Sequence, residues 1–244
     1  MTVFFDCFLQ VFPQFFIVAV VLIYIALQRR SREPLTAMGL LFIAFCFDAL
    51  VLHLPSIVWF SGSHWNWQGK ILEFSWPLAL VYLLKWLSPQ KVGFVHFKRS
   101  AMFYTGLAGL LFIMLANLIP EDTPSPSMLT TQSILFQFLM PGLGEEFVFR
   151  GVFLAILNQH LGKQWSLFNI KFGWGAIIVT YLFTIVHVIT CDSHQSVAFL
   201  QIFMPLLAGL ILVVIREKTG SLWPCVLFHS LIDGGYFLSF KFFN

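Results

Sequence analysis

The chain has 244 residues, 59% of them hydrophobic and 10% charged, with a formal net charge of +3 and a mean hydropathy of +0.85. Soluble domains are about 25% charged, so this chain has too few charges for a water-facing surface, and the composition excludes a soluble protein. The small net charge gives no reason to expect a nucleic acid as partner. Long apolar runs separate the charged residues and predict an integral membrane protein, with membrane lipids among its partners.

Apolar runs long enough for membrane-spanning helices follow one another along the whole chain. They cover 11–27, 37–58, 71–87, 100–119, 128–157, 173–190, 197–215 and 221–241. The predicted fold class is therefore all-α, a polytopic membrane bundle of about eight transmembrane helices. No small-residue cleavage site follows the first run, so we expect it to be a retained span and not a signal peptide.

The fifth run, 128–157, is the least regular. Pro141, Gly142 and Gly144 interrupt its apolar pattern. This pattern predicts a helix that is kinked or split there, with neighbouring helices satisfying the freed backbone groups.

The segment 121–127 (EDTPSPS) is the clearest loop, since proline and acidic residues end the preceding run there. We expect it to divide one integrated membrane domain into two regions. The first, 1–127, holds N-terminal transmembrane helices without catalytic motifs. The second, 128–244, contains all the ionisable motifs of the late runs and is the expected catalytic transmembrane region.

The distribution of basic residues predicts the orientation in the membrane. One side of the predicted bundle contains Arg29, Arg30, Arg32, Lys85, Lys91, Lys98, Arg99, Lys163, Lys171, Arg216 and Lys218. The other side contains Asp6, Glu121, Asp122 and Asp192, with Lys70 and Lys241 near it. Because cytoplasmic loops carry the excess of Lys and Arg, we expect both termini on the non-cytoplasmic side of a prokaryotic cell membrane.

Ionisable residues within the late runs mark a candidate site, since a charge in the hydrocarbon costs about 2.5–3.5 kcal/mol on insertion scales. They are Glu145, Glu146, Arg150, His187, His229 and Asp233. Glu146 and Arg150 are spaced i,i+4 with the acid first, the better order for a helical ion pair. This pair is either purely structural or a support for chemistry. Glu145 points elsewhere on the helix and stays available.

The two histidines have a structural and a chemical interpretation. His187 alone would be a satisfied core residue, and Asp233 could simply hold His229 on one helix face. Beside Glu145, however, an imidazole can help to deprotonate water. A second imidazole can donate to a carbonyl oxygen where negative charge develops. Because no Ser or Cys is clearly paired with a base, the set predicts direct attack of water on an amide.

Three ordered motifs carry a resemblance to a known family. Glu-Glu-x-x-x-Arg, Phe-x-x-x-His and His-x-x-x-Asp begin at Glu145, Phe183 and His229. This order resembles the CPBP family of intramembrane proteases, which includes type II CAAX prenyl endopeptidases and bacterial Abi-type proteins. The resemblance covers about 129–240 and implies an endopeptidase acting on a membrane-associated or lipidated peptide, near the C-terminus of its substrate.

The resemblance also implies roles for individual residues. Glu145 would be the general base, helped by His187. Glu146 and Arg150 would support and orient it. His229 and Asp233 would stabilise the oxyanion or complete the water site.

One position departs from the family. CAAX-type members commonly have Asn where this chain has Asp233, and an ionised carboxylate cannot donate a hydrogen bond. Asp233 could be protonated, could orient His229 or could bind a metal. Together with Glu145 and His187, His229 and Asp233 make a plausible zinc set. An HExxH-like pair is missing, however. We expect no cofactor, with a divalent metal such as zinc as the alternative.

The rival interpretation is a non-enzymatic membrane scaffold or immunity protein, or a proton-linked transporter, since intramembrane carboxylates and histidines also build proton relays. A relay would spread polar residues over both halves of the chain. The front half offers mainly Asp48, which fits either a functional site or a hydrogen bond between helices.

Overall fold

Helices make up nearly all of the computed structural model, which describes residues 2–53, 65–118, 124–188 and 199–243. The first half contains α1 (Thr2–Arg29), α2 (Glu33–His53), α3 (Trp67–Leu78), a π-helical turn (Ala79–Leu83), α4 (Pro89–Val92) and α5 (Arg99–Asn117). The second half contains a 3₁₀ turn (Pro126–Met128), α6 (Thr131–Glu146), a π-helical turn (Phe147–Phe153), α7 (Leu154–Leu161), β1 (Trp165–Leu167), β2 (Ile170–Phe172), α8 (Trp174–Val188), α9 (Phe199–Thr219) and α10 (Trp223–Phe243).

Three helices of the described ranges are long and apolar enough to cross a membrane by length and composition alone: Val11–Arg29, Glu33–His53 and Arg99–Asn117. The chain is therefore an all-α integral membrane bundle, whereas the count of about eight spans stays a prediction. Parts of the predicted apolar runs lie outside the described residues: 54–58, 119, 189–190 and 197–198. The same holds for three acidic residues used to predict the orientation: Glu121, Asp122 and Asp192.

The packing of the helices brings the late elements around α10. This helix packs mainly against α6 and α5, and α3 packs against α6 from another side. Further pairs are α1 with α2 and α8 with α9. Since α6 lies between α3 and α10, residues near its C-terminal end can meet side chains from both halves of the chain.

The fifth predicted run is not split at Pro141. Helix α6 continues through this proline to Glu146, and the irregular turn follows at Phe147–Phe153. Gly142 serves close packing instead, because a Cβ there would collide with the Ser230 side chain and lie 3.0 Å from Val226 O. The predicted split is therefore wrong, a kink at Pro141 stays a prediction, and the sequence pattern gave no signal for the π-helical turn.

A side chain from a distant part of the chain binds the backbone of the π-helical turn Phe147–Phe153. Arg216, which is buried near the end of α9, donates from Nε to the carbonyl oxygen of Arg150 at 3.1 Å. It also donates to Lys91 O at 2.9 Å and to Gly220 O at 2.7 Å. The bond to Arg150 O satisfies a carbonyl group in the turn where regular helix geometry is lost, and the other two bonds join the end of α9 to α4 and to the residue that follows α9.

A short hairpin is the one exception to the all-α prediction within the described residues. Strands β1 and β2 pair antiparallel, with Leu167 opposite Ile170. The two turn residues, Phe168 and Asn169, have φ values of 49° and 62°. Positive φ at both central positions is typical of the tight turns that match the twist of a hairpin. Composition and apolar periodicity gave no signal for strands this short.

Candidate functional site

All six predicted site residues lie together, on elements that pack around the C-terminal end of α6. Glu145 and Glu146 end this helix, and Arg150 lies in the π-helical turn that follows. The others are His187 in the last turn of α8 and His229 and Asp233 on α10. The ion-pair contacts join all six side chains in one continuous cluster.

The Glu146–Arg150 pair is the buried base of this cluster. Arg150 Nη1 lies 2.9 Å from Glu146 Oε1, and both side chains are 0% exposed, so the predicted ion pair is confirmed. The same Oε1 atom lies 2.8 Å from His229 Nδ1. The Arg150 guanidinium also lies 4.0 Å from the centre of the Phe183 ring, a cation–π distance. Glu146 therefore balances the arginine and fixes the imidazole of His229.

Carboxylates face both ring nitrogens of His229. Nδ1 is held by Glu146, while Nε2 lies 3.3 Å from Asp233 Oδ2 and 3.9 Å from Glu145 Oε2. The ring is 2% exposed, whereas the Asp233 side chain is 31% exposed. A protonated imidazole donates from both nitrogens, so this environment suits a ring that donates at each end. Asp233 can therefore hold His229 only at Nε2, because Glu146 holds the other nitrogen.

The tautomer of His187 follows from its backbone contact. Nδ1 lies 2.6 Å from the carbonyl oxygen of Phe183. A carbonyl only accepts hydrogen bonds, so Nδ1 must carry the proton and donate. Nε2 then points at Glu145 Oε2, 3.4 Å away. The Phe183 ring packs on the imidazole with its centroid 4.4 Å away, as residues one helical turn apart can do.

Two residues that sequence reasoning missed complete the surroundings of Glu145. Lys70 Nζ lies 2.7 Å from Glu145 Oε1 and 2.8 Å from Glu73 Oε2. Both new residues come from α3, in the region expected to carry no motifs. A Lys and a Glu one turn apart at the start of an apolar run were the available signal, since membrane charges are costly unless they pair. Lys70 was instead counted only as a basic residue near the predicted non-cytoplasmic side.

Asp48 takes part in a bond between helices. Its Oδ1 accepts a hydrogen bond from the Trp76 indole at 3.0 Å, and the side chain is buried. This contact joins α2 to α3, which is the helix-to-helix alternative foreseen for this aspartate. It thereby helps to fix the helix that carries Lys70 and Glu73.

The same side chains include the residues of the predicted zinc set: Glu145, His187, His229 and Asp233. Within the described ranges, no group of three or more His, Cys, Asp or Glu side chains is arranged so that it could hold one. The ammonium of Lys70 also lies against the Glu145 carboxylate that a zinc site would need. The arrangement does not fit a metal centre, and hydrolysis without a metal stays a prediction.

Comparison with known families supplies the identification. Residues 127–235 match the family model described as type II CAAX prenyl endopeptidase Rce1-like. Residues 127–235 form an Rce1-like domain. This match confirms the predicted resemblance to the CPBP intramembrane proteases. It supports a CAAX-type intramembrane protease in general, and a protease family implies a peptide or protein substrate. No curated protein and no solved structure shows significant similarity to the chain.

The Rce1-like domain contains all six predicted site residues. Lys70 and Glu73 lie outside it, more than 50 residues before its first residue. The family match therefore includes the histidines that face Glu145, whereas the lysine that contacts it comes from a helix outside the match.

Proposed function

We propose that the chain is a glutamate-type intramembrane endopeptidase that hydrolyses a peptide bond of a membrane-associated or lipidated substrate, near the substrate's C-terminus. The observation that carries the proposal is the approach of Glu145 Oε2 to the Nε2 atoms of His187 and His229, at 3.4 and 3.9 Å. A water molecule about 2.8 Å from this oxygen stays within hydrogen-bonding reach of both imidazoles.

Glu145 and His187 are the proposed water-activating pair. Oε2 is buried and makes no hydrogen bond within the described residues, and in a neutral His187 ring Nε2 carries the lone pair because Nδ1 donates to Phe183 O. Two acceptors 3.4 Å apart suit a water that donates one hydrogen to each. Its own lone pair then points at the substrate carbonyl. Glu145 takes the water proton as the C–O bond forms.

His229 is the proposed donor to the oxyanion. Glu146 holds Nδ1, so a protonated ring presents its Nε2–H to the space where water attacks. Asp233 accepts this hydrogen bond before the substrate arrives, and the developing negative charge on the carbonyl oxygen then replaces it. Collapse of the tetrahedral intermediate breaks the C–N bond, and Glu145 returns the proton to the leaving amine.

The number of membrane spans and the orientation of the chain in the membrane are part of the same proposal. Within the described ranges, α1, α2, α3 with its π-helical turn, α5, α6 joined to α7, α8, α9 and α10 are the long helical segments. They support about eight spans, with both termini on the non-cytoplasmic side of a prokaryotic cell membrane. No cofactor is required by the proposed steps.

The scaffold, immunity-protein and proton-transporter alternatives gain no specific support. Ionisable residues do occur in the front half, but Lys70 and Glu73 meet Glu145 directly. They enlarge one cluster and do not start a second path. An enzymatic role therefore remains the better explanation of the cluster.

The test compares the wild type with Glu145→Gln. Cells carrying either protein are compared by N- and C-terminal proteomics, and peptides spanning the termini found only with the wild type become the assay substrates. With purified protein, Glu145→Gln should lower kcat by roughly 10²–10⁴-fold, because the amide cannot accept the water proton. Cleavage is followed by intact mass.

Glu33→Gln is the matched control. Glu33 lies on α2 and pairs with His160 at an exposed position, where ion pairs contribute little to stability, so wild-type turnover is expected. Full activity of folded Glu145→Gln protein, or identical termini in the two cell populations, would rule out the proposed function.

A further inference from the structure

Lys70 is the only described cation that contacts the proposed general base from outside the Rce1-like domain. Its ammonium is shared between Glu145 Oε1 at 2.7 Å and Glu73 Oε2 at 2.8 Å. The Lys70 side chain is 15% exposed and that of Glu73 1%. A charge-assisted contact in such surroundings is stronger than one in water, so the ammonium fixes the two carboxylates relative to each other.

The start of α3 is held in place independently of the site. The Asn66 side chain accepts from Gly69 N at 2.9 Å, which caps the helix, and donates to Leu52 O at 2.7 Å on α2. A cap of this kind satisfies a backbone donor of the first turn. Lys70 follows the capped residue directly, so its backbone position is set before its side chain meets Glu145.

The contact between α3 and α6 depends on a glycine. A Cβ at Gly144 would collide with the Glu73 carboxylate, so glycine at this position lets Glu73 lie against the backbone of α6. One turn further along, the rings of Phe74 and Phe147 are 4.9 Å apart. These contacts place the Lys70–Glu73 pair beside Glu145, where Lys70 contacts Oε1.

The two oxygens of Glu145 consequently have different neighbours. Oε1 is held by Lys70, while Oε2 faces His187 and His229 at 3.4 and 3.9 Å. Without the ammonium, the carboxylate would be free to rotate out of the position in which Oε2 and His187 Nε2 can both accept from one water, and the acceptor geometry would be lost.

We propose that Lys70 is a positioning residue of the protease site, which holds Glu145 so that Oε2 receives the water proton, and that Glu73 holds Lys70 for this purpose. This inference rests on the proposed function, because it assigns Glu145 as the general base. It makes the front half of the chain a part of the working site.

Lys70→Met removes the charge and keeps the length of the side chain. We expect kcat to fall by about 10²-fold, the loss that a displacement of about 1 Å can cause, with KM within about threefold. Lys70→Arg restores a cation that can reach both carboxylates and should recover most of kcat. Lys241→Met, at an exposed position on α10, is the control and should retain wild-type turnover.

A purely structural role is separated by two further variants. Lys70→Met/Glu73→Gln removes the carboxylate that Lys70→Met leaves unpaired, so it should unfold at the wild-type temperature and still have the low kcat. Lys70→Met in the Glu145→Gln background should cause no further loss, since residues acting as one unit are not additive.

The outcomes distinguish the two proposals. Wild-type kcat in folded Lys70→Met protein, together with an inactive Glu145→Gln variant, overturns the role of Lys70 and leaves the protease proposal standing. A kcat that returns in Lys70→Met/Glu73→Gln also overturns it, because the loss would then come from the unpaired carboxylate. An active Glu145→Gln variant overturns the proposed function itself.

Discussion

Glu146 contacts two cationic or potentially cationic side chains through one atom. Its Oε1 lies 2.9 Å from Arg150 Nη1 and 2.8 Å from His229 Nδ1. Loss of one partner from a buried ion pair costs about 3–5 kcal/mol because a charge is left uncompensated. Glu146 therefore supports folding and ring orientation together, and a neutral substitute would disturb both. The residue is better described as support for His229 than as a second base.

Asp233 contacts the other nitrogen of the His229 ring and is more exposed than Glu146. It faces Nε2 at 3.3 Å and is 31% exposed, while Glu146 fixes Nδ1. We expect Asp233→Asn to lower kcat/KM by less than about tenfold, or about 1.4 kcal/mol, because the amide oxygen still accepts from His229 and the NH₂ adds a donor. Wild-type and variant cleavage should both survive dialysis against EDTA.

A metal role for Asp233 predicts a different result from the same experiment. Asp233→Asn would then weaken binding of the ion, and EDTA would abolish cleavage until zinc is restored. Elemental analysis of the purified protein gives the stoichiometry directly. Loss of activity by chelation and its return with zinc would replace the metal-free mechanism.

At the scale of elements, close contact between helices depends on missing side chains. Gly142 admits the Ser230 side chain of α10, and Gly144 admits the Glu73 carboxylate of α3. The two glycines thus lie on different sides of α6, each facing a different neighbour. Their spacing resembles a kink signal in the sequence, but their function in the fold is to let two helices approach.

Gly144→Ala tests the contact between α3 and α6. The added methyl group would displace Glu73, and Lys70 would move with it, so we expect kcat to fall by about tenfold or more through lost positioning. The measurement is kcat with the substrate established for the wild type, beside thermal unfolding.

Gly106→Ala provides the matched control for that substitution. A Cβ at this α5 position has nothing within 4 Å. Alanine should therefore stabilise the helix by roughly 0.5–1 kcal/mol through its better helix propensity, with no change in kcat. Equal kcat values for the two alanine variants would show that Glu73 tolerates displacement.

At the scale of the whole molecule, the predicted orientation follows from charge asymmetry and span count together. Reporter fusions at the two termini and an insertion at Asn169, in the turn of the hairpin, test both. We expect the termini to report the non-cytoplasmic side and the hairpin the cytoplasmic side, because basic loops are retained inside. Termini on opposite sides would mean an odd number of spans.

The architecture joins the two regions more closely than their sequences suggest. The Rce1-like domain supplies the six predicted residues, and α3 from the first region supplies Lys70 and Glu73. Asp48 and Trp76 join α2 to α3. The front half therefore contributes packing and charge to the site, which motif analysis alone had left to the back half.

Composition and local spacing determined the class of this protein. Too few charges for a soluble surface required a membrane, and apolar runs required helices. The i,i+4 order of Glu146 and Arg150 gave their ion pair, because such residues are neighbours on any helix. The three motifs gave the family and the members of the candidate site, since their residue types limit the possible chemistry.

Only the tertiary structure decided which side chains meet across helices. Lys70 and Glu145 are 75 residues apart, and Glu146 and His229 are 83 apart. Their contacts depend on the rotation and depth of each helix, which are set by glycine contacts, ring packing and the capped start of α3. Apolar periodicity does not specify those quantities, because lipid and protein neighbours select similar side chains.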